Sequence, residues 1–299
     1  SREAILGISK WADIGSINID WTGIDEFLDA LAKLQLGVNF GTLVGYGTLR
    51  RSVLGEETRA LKVEERELVK TFLANAIAKG ALGMSLGLAY GHERISSTDE
   101  IIEIARVLTA KNIIKLHLRS EGSEVVAAVN EAVRIGRETG VPVIVSHFKV
   151  IGKKSWHLAP KVMDLMEHAR ANGVDISCDV SPYQTTGSPL YLLLPAWSRV
   201  GGFRQLFRRM DSPGDRRKIL EDLRALTLHY ETITVLSAVQ SSIVGKTLAE
   251  IATTAGWLPE EAVLETLRAN EGRVTIIGRT IRSKNTDEAI QNGHTFVAS

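Results

Sequence analysis

Short, nearly continuous apolar runs alternate with longer segments of helical periodicity along most of the chain. This alternation is typical of βα units, in which parallel strands are covered on both faces. We predict six strands of the regular pattern, at residues 38–46, 83–90, 112–117, 141–147, 174–180 and 295–298.

Helical periodicity fills the intervals between these strands, at residues 63–79, 98–111, 123–139 and 158–172. Three of the helices are followed by Gly80, Gly140 and Gly173, and glycine readily adopts the left-handed conformation of a helix C-terminus. The segments 97–100 and 22–25 have the spacing of a capping box, which predicts a helix start at each.

The regular rhythm breaks after Tyr183. We predict a loop at 184–195, basic helices around 204–209 and 216–226, a candidate strand at 231–237, and helices at 246–256, 260–270 and 285–292. We interpret residues 184–245 as an insertion or lid segment within a partial barrel that spans residues 1–299.

The pattern predicts an α/β fold, a (β/α)8 TIM-type barrel that is incomplete here. About six of the eight strands that such a barrel needs are present, and the insertion lies between the seventh and eighth strands. The alternative is an open doubly wound sheet. That fold favours a glycine-rich Gly-x-Gly-x-x-Gly turn after an early strand, and this sequence has none.

Composition narrows the class of protein. The 299 residues are 44% hydrophobic and 24% charged, and the formal net charge is +1. A near-neutral chain lacks the cationic excess of a nucleic-acid groove or a polybasic membrane surface. Residues 1–20 are interrupted by Lys10 and Asp13, so they do not form a signal peptide. A single cysteine, Cys178, excludes an intramolecular disulfide framework. We expect a cytoplasmic protein that acts on a small molecule, without nucleic acid or membrane, and its oligomeric state stays open.

Two histidines end predicted strands. His117 follows the apolar run 112–116, and His147 follows the run 143–145 and Ser146. Active-site residues of barrels lie at the carboxyl ends of the strands, and neutral imidazole is a common zinc ligand. The pair therefore predicts a metal site, although a lone histidine at a strand end is more often structural.

Polar residues follow the same strand ends. Arg119 and Glu121 come after His117, and they either orient a ligand or form an ordinary ion pair. Lys149 lies two residues after His147, so on an extended backbone it points to the same side and can bind a carboxylate. At the end of the next strand, Asp179 is a candidate acceptor of a hydrogen bond from a metal ligand. Tyr183 is a candidate hydrogen-bond donor to a substrate oxygen.

Other chemistries have weaker support in the sequence. Cys178 lies within a predicted strand and is better interpreted as a small buried hydrophobic residue than as a nucleophile. The remaining histidines lie in loops, within helices or at a strand start, and are weak metal candidates: His92, His157, His168, His229 and His294. No His-Glu-x-x-His, Gly-x-Ser-x-Gly, P-loop or Cys-x-x-Cys motif occurs.

At these residues the sequence resembles the N-acyl-D-amino-acid deacylase (D-aminoacylase) branch of the metal-dependent amidohydrolase superfamily. The matching segments run in one order along nearly the whole chain: Val38-Asn39, Leu43-Val-Gly-Tyr-Gly-Thr-Leu-Arg50, Gly80-Ala-Leu-Gly-Met-Ser-Leu-Gly-Leu-Ala-Tyr90, Leu116-His-Leu-Arg-Ser-Glu-Gly122, Ser146-His-Phe-Lys149, Asp179-Val-Ser-Pro-Tyr183, Pro195-Ala-Trp197, Gly201-Gly202 and Gly245-Lys-Thr-Leu-Ala-Glu250. Each is a modest signal alone, and their order makes the resemblance specific.

The resemblance implies that His117 and His147 are zinc ligands on the fifth and sixth barrel strands, for one or two ions in the complete protein. It implies that Lys149 and Tyr183 bind an N-acyl amino acid. It also implies that Arg119, Glu121 and Asp179 contact the metal ligands and not the metal itself. In the family, a zinc-bound water attacks the amide carbonyl of an N-acyl-D-amino acid, and an aspartate of the last strand carries the proton.

The chain departs from the family pattern at both ends. The family's His-x-His pair and cysteine ligand would lie upstream of Ser1, its catalytic aspartate would follow Ser299, and its small β-sandwich is absent. Tyr46 and Leu86 stand where relatives often have histidine and threonine. We expect an internal fragment that is inactive alone. The alternatives are a truncated, non-catalytic relic or binding module, and another amidohydrolase such as a cyclic amidase.

Overall fold

The computed structural model describes residues 23–55 and 57–298. Its main element is a parallel sheet of six strands in the order β1-β2-β3-β4-β5-β9. The strands are β1 (Val44–Gly45), β2 (Gly83–Gly87), β3 (Ile113–His117), β4 (Val143–Val145), β5 (Ile176–Val180) and β9 (Thr295–Val297). The α/β class and the six predicted strand positions are confirmed.

Several strands are shorter than the apolar runs predicted. The predicted strand 38–46 contributes only β1, since residues 38–43 form no strand and Tyr46 begins a helix. The predicted strand 83–90 ends at Gly87, where the Tyr90 N–H donates to the Gly87 carbonyl at 2.9 Å and closes a turn. The predicted strand 141–147 is only β4, so the backbone at His147 is no longer part of a strand.

Thirteen α-helices lie within the described ranges 23–55 and 57–298. They are α1 (Ile24–Ala32), α2 (Tyr46–Leu54), α3 (Val63–Ala78), α4 (Gly91–Arg94), α5 (Thr98–Ala105), α6 (Val125–Thr139), α7 (Ala159–Ala171), α8 (Ala196–Arg199), α9 (Gly202–Asp211), α10 (Pro213–Ala225), α11 (Leu248–Ala255), α12 (Pro259–Ala269) and α13 (Ser283–Ile290).

The helix ends follow the predicted chemistry. Ser97 Oγ accepts the Glu100 N–H at 3.1 Å, which confirms the predicted cap of α5. Gly80, Gly140 and Gly173 have φ of +107°, +68° and +81°, as expected after helix ends. The predicted cap at Thr22 lies outside the described residues, and α1 begins after Gly23.

The chain divides into two compact units: residues 1–119, 127–146 and 164–178, and residues 120–126, 147–163 and 179–299. The first unit contains β1 to β4 and the first part of β5. Its core is made of aliphatic side chains from the strands and from α5 to α7, including Met84, Ile101, Ile104, Ile114, Leu116, Ile135, Val143, Val145 and Met166. In β3, Ile114 and Leu116 are buried while Lys115 and His117 are half-buried, so the strand has one covered face and one more open face.

The second unit has a core and a sheet of its own. Three antiparallel strands lie in the order β6-β8-β7: β6 (Thr186–Pro189), β8 (Val274–Gly278) and β7 (Ile233–Ala238). The helices α9 to α12 and the sheet share a cluster of buried residues that includes Leu190, Leu206, Met210, Ile219, Leu223, Ile233, Val235, Leu248, Leu264, Leu267 and Ile276.

The segment 184–195 is not the loop that we predict from the sequence, because it holds β6. The sequence analysis also misses β8 altogether. Both β6 and β7 pair with β8, so the central strand of this sheet comes from beyond residue 245. Within the described residues, no helix combines the length and the apolar character needed to cross a membrane.

Candidate functional site

The carboxyl ends of β3 and β4 lie side by side in the sheet. The register pairs Leu116 with Val145, and the Ser146 N–H donates to the Leu116 carbonyl at 2.9 Å. His117 and His147 are the residues that directly follow this hydrogen-bonded pair in the sequence. The backbone therefore delivers one histidine from each strand to the edge where parallel α/β folds place their chemistry.

His117 lies against an aromatic side chain of the first unit. Its ring centroid is 5.1 Å from that of Tyr90, with the two planes tilted by 50°. Its carbonyl accepts the Leu88 N–H at 3.1 Å, which continues the pairing of β2 and β3 by one residue. The half-buried imidazole is thus oriented on the open face of β3.

His147, Glu121 and Lys149 form a compact cluster in the second unit. Glu121 Oε1 lies 3.2 Å from His147 Nδ1 and 2.6 Å from Lys149 Nζ. Lys149 Nζ is also 2.9 Å from His147 Nδ1. The side chains of Glu121 and Lys149 are 11% and 12% exposed, whereas His147 is 36% exposed. The imidazole is therefore the accessible member of the cluster.

Glu121 can fix the tautomer of His147. When Nδ1 carries the proton it donates to the Glu121 carboxylate, and the Nε2 lone pair is then available to a metal ion. When Nδ1 instead accepts from the Lys149 ammonium, the proton of the neutral imidazole lies on Nε2, and Nε2 then has no lone pair for a metal ion. Glu121 and Lys149 thus compete for Nδ1, and only the first arrangement prepares His147 as a metal ligand.

Asp179 holds the backbone beside His147. Its Oδ1 accepts the His147 N–H at 2.8 Å, and its carbonyl accepts the Phe148 N–H at 2.6 Å. His147 has φ of +39°, in the left-handed region that a residue with a side chain rarely adopts. Such conformations cost about 1–3 kcal/mol and persist where surrounding contacts enforce them. The two hydrogen bonds to Asp179 are contacts of that kind.

We compared the chain with known proteins. No model of a known protein family matches the sequence. A D-aminoacylase of Alcaligenes xylosoxydans xylosoxydans is 40% identical over 159 residues, which is 53% of this chain and 33% of that protein. An N-acyl-D-aspartate deacylase of the same organism is 34% identical over 169 residues, 56% of this chain and 34% of that protein.

Solved structures extend the likeness to nearly all of the chain. A crystal structure of a D-aminoacylase, described as defining a subset of amidohydrolases, matches 97% of this chain with 26% identity and a TM-score of 0.77. Over about half of its length, this chain is similar in sequence to D-aminoacylases and related deacylases. It spans 53% of that solved chain, and the matched part is about one third of each curated relative. Those relatives are deacylases, which are hydrolases of the carbon–nitrogen bond in linear amides.

A second solved neighbour shares the fold. An N-acyl-D-glutamate deacylase of Bordetella bronchiseptica, complexed with zinc and a phosphonate inhibitor, has a TM-score of 0.77 and 22% identity, and it covers 97% of this chain and 53% of that one. A further D-aminoacylase, described with a binuclear metal centre, has a TM-score of 0.75 and 25% identity over 97% of this chain and 53% of that one.

The other residues predicted from the sequence have separate surroundings. Arg119 forms an ion pair with Glu131 at 2.7 Å, and its guanidinium also donates to the carbonyls of Arg94 and Ser96. Tyr183 is 59% exposed. Cys178 is buried within β5, as we expect of a small hydrophobic residue.

The structure adds one titratable residue that the sequence analysis misses. Glu93, on the short helix α4, accepts the Gly87 N–H on Oε2 at 2.6 Å. Burial raises the pKa of its carboxyl to about 7, although the Gly87 N–H and the charge of Arg50 act in the opposite direction. Glu93 does not directly follow a predicted strand, since it lies six residues after the end of β2.

Because burial raises the pKa of Glu93, the free energy of unfolding of the protein depends on pH. A carboxyl with a higher pKa in the folded state stabilises the fold below its unfolded pKa of about 4.5, and this contribution is lost as the pH rises through 7. We expect Glu93→Gln to become more stable relative to the natural protein by about 2–3 kcal/mol between pH 5 and pH 8. Urea unfolding at both pH values measures this difference, and a constant difference would contradict the burial of Glu93.

Proposed function

We propose that the protein hydrolyses the amide bond of N-acyl-D-amino acids with a metal-activated water. The observation that carries the proposal is the pair of histidines at the ends of hydrogen-bonded neighbouring strands, in a chain similar to deacylases. We also propose that the six-stranded sheet is part of a (β/α)8 barrel, and that residues 184–245 act as an insertion or lid. The proposed setting is the cytoplasm.

His117 and His147 are the proposed metal ligands. Each offers a neutral imidazole, which is a common zinc ligand. The Glu121 carboxylate beside His147 Nδ1 supports this role, since ligating histidines generally donate their second N–H to such a group. When bound, one or two zinc ions would lower the pKa of a water to about 7 and polarise the substrate carbonyl.

Lys149 is the proposed partner of the substrate carboxylate. Its ammonium lies 2.6 Å from Glu121 Oε1, so it is already paired with one carboxylate. A substrate carboxylate in reach of Lys149 would draw the ammonium away from His147 Nδ1 and leave Nδ1 to donate to Glu121. Substrate binding and preparation of the metal ligand would thus favour each other.

Three further residues of this chain complete the proposal. Tyr183 is exposed and able to donate to a substrate oxygen, while Asp179 keeps the His147 backbone in place. Arg119, paired with Glu131, would stabilise the segment that leads from β3 to Glu121. The resemblance assigns the proton transfer to an aspartate of the last barrel strand.

A substrate panel tests this function. The complete gene product that carries this chain is freed of metal with a chelator, reloaded with zinc, and assayed for release of the free amino acid from N-acetyl-D-methionine and N-acetyl-L-methionine. We expect hydrolysis of the D-substrate that needs zinc and exceeds that of the L-substrate by at least about a hundredfold. Hydrolysis of cyclic imides in place of N-acyl substrates would favour a cyclic amidase, and inactivity of the zinc-loaded protein would favour a non-catalytic relic.

A further inference from the structure

The register of β2 and β3 places Glu93 on the same side of the sheet as His117. Gly87 pairs with His117 across the two parallel strands, and residues at paired positions project from the same face. A Cβ built on Gly87 would lie 2.5 Å from the Tyr90 ring and 3.3 Å from Glu93 Oε1. Because Tyr90 also contacts the His117 ring, the Glu93 carboxyl belongs to the face from which His117 projects.

Two glycines make room for this carboxyl group. A Cβ on Gly47, in the first turn of α2, would lie 2.5 Å from Glu93 Oε1, closer than real Cβ contacts come. Neither Gly47 nor Gly87 has a positive φ, so the backbone itself would accept another residue at both positions. What an added side chain would meet is the Glu93 carboxyl, which therefore occupies a space that only glycine leaves open.

The helix α4, which carries Glu93, is itself held in place by hydrogen bonds. The N–H groups of Glu93 and Arg94 donate to the Tyr90 carbonyl at 3.0 and 2.8 Å. Arg94 Nη1 donates to the Arg119 carbonyl, and Arg119 Nη1 donates to the Arg94 carbonyl, each at 2.7 Å. This reciprocal pair fastens α4 to the segment that follows β3, so Glu93 is preorganised beside the strand that carries His117.

We propose that Glu93 is a specificity-determining residue that disfavours substrates with an anionic amino-acid side chain. The inference rests on the proposed function, because it concerns selection among N-acyl-D-amino acids. A half-buried carboxylate repels a second carboxylate strongly where the effective dielectric constant is low, and a like charge at a fixed position is a common means of excluding a competing ligand. Two cations of α2, Arg50 and Arg51, act on the Glu93 carboxylate with the opposite charge, and Arg50 is itself paired with Glu100 at 2.6 Å.

The test compares two substrates that have nearly the same shape. N-acetyl-D-glutamate and N-acetyl-D-glutamine differ in charge, and the complete, zinc-loaded gene product is assayed on both at pH 8. We expect the natural protein to prefer the glutamine derivative in kcat/KM, and Glu93→Gln to raise the ratio of glutamate to glutamine derivative by up to about tenfold, because Glu93 can be protonated at pH 8 at the cost of about one pH unit. Asp99→Asn removes the same charge at a side chain that is 77% exposed, and should leave the ratio unchanged.

The outcomes separate the two proposals. If Glu93→Gln keeps its activity on the glutamine derivative and the ratio does not change, the role of Glu93 is wrong and the proposed function stands. If the natural protein hydrolyses neither these nor other N-acyl-D-amino acids, both the proposed function and the proposed role of Glu93 are wrong. Should Glu93→Gln be insoluble, Glu93→Ala removes the charge without adding a group, and the same change in ratio is expected of it.

Discussion

Replacing His147 with alanine is expected to abolish zinc-dependent hydrolysis in the complete gene product. The change removes a proposed metal ligand and also the group that Glu121 and Lys149 share. Loss of a residue that hydrogen-bonds a metal ligand already lowers metal affinity by about 10–100-fold, so loss of the ligand itself should lower the affinity further. We expect zinc affinity to fall by more than about a hundredfold, and kcat/KM by on the order of a thousandfold, since the activated water is lost.

His117→Ala should have an effect of the same size, because the two histidines are proposed to share the metal. Zinc affinity is measured by competition with a chromogenic chelator, and activity with N-acetyl-D-methionine. His168→Ala is the matched control: this histidine is exposed near the end of α7 and bonds Asn172, so zinc binding and activity should not change. Full zinc affinity in both His117→Ala and His147→Ala would exclude the proposed ligands.

Replacing Arg50 with methionine is expected to lower the free energy of unfolding by about 3–5 kcal/mol, because it leaves a buried carboxylate without its partner. Arg50 is fully buried, and its Nη1 donates to Glu100 Oε1 at 2.6 Å and to Ser96 Oγ at 2.7 Å. The Tyr46 hydroxyl donates to the same carboxylate oxygen. Burial raises the pKa of Tyr46, so this hydroxyl remains a donor at ordinary pH.

Urea unfolding at pH 7 measures this loss. Arg134→Met is the matched control, since it removes exposed ion pairs with Asp99 and Glu138, whose side chains are 77% and 36% exposed. Exposed pairs contribute about 0–1 kcal/mol, so the control should lie within that range. An Arg50→Met variant as stable as Arg134→Met would show that the buried cluster of Arg50, Glu100, Ser96 and Tyr46 does not stabilise the fold.

The apolar pattern predicts the positions of the parallel strands well, but it predicts the residues at which the strands end poorly. A buried run such as 112–117 marks a strand reliably because burial on a sheet requires apolar side chains. The end of a strand depends on local backbone hydrogen bonds, and these are set by turns such as the one between Gly87 and Tyr90. For this reason the predicted strand at 83–90 runs three residues beyond Gly87.

The antiparallel sheet of the second unit could not be predicted in the same way. β6 has the sequence Thr-Gly-Ser-Pro, which is typical of a turn, and it becomes a strand by pairing with β8. The partner lies far along the chain, so the pairing depends on tertiary contacts that periodicity does not reveal.

Some residues of the candidate site can be predicted from the sequence, and others can be found only in the structure. The positions of His117 and His147 after apolar runs make them candidates from sequence alone. The expected extended backbone between His147 and Lys149 is wrong, since His147 is left-handed, yet Lys149 Nζ still lies 2.9 Å from His147 Nδ1. Glu93 becomes visible only through the register that aligns Gly87 with His117.

Titration of the metal-free, complete gene product with zinc tests the central proposal most directly. Bound zinc and the rate of N-acetyl-D-methionine hydrolysis are followed in the same samples, for the natural protein and for a variant carrying both His117→Ala and His147→Ala. The account predicts that activity rises with bound zinc, reaches its maximum at one or two equivalents, and is absent together with tight zinc binding in the double variant. Hydrolysis by the metal-free protein, or tight zinc binding by the double variant, would contradict it.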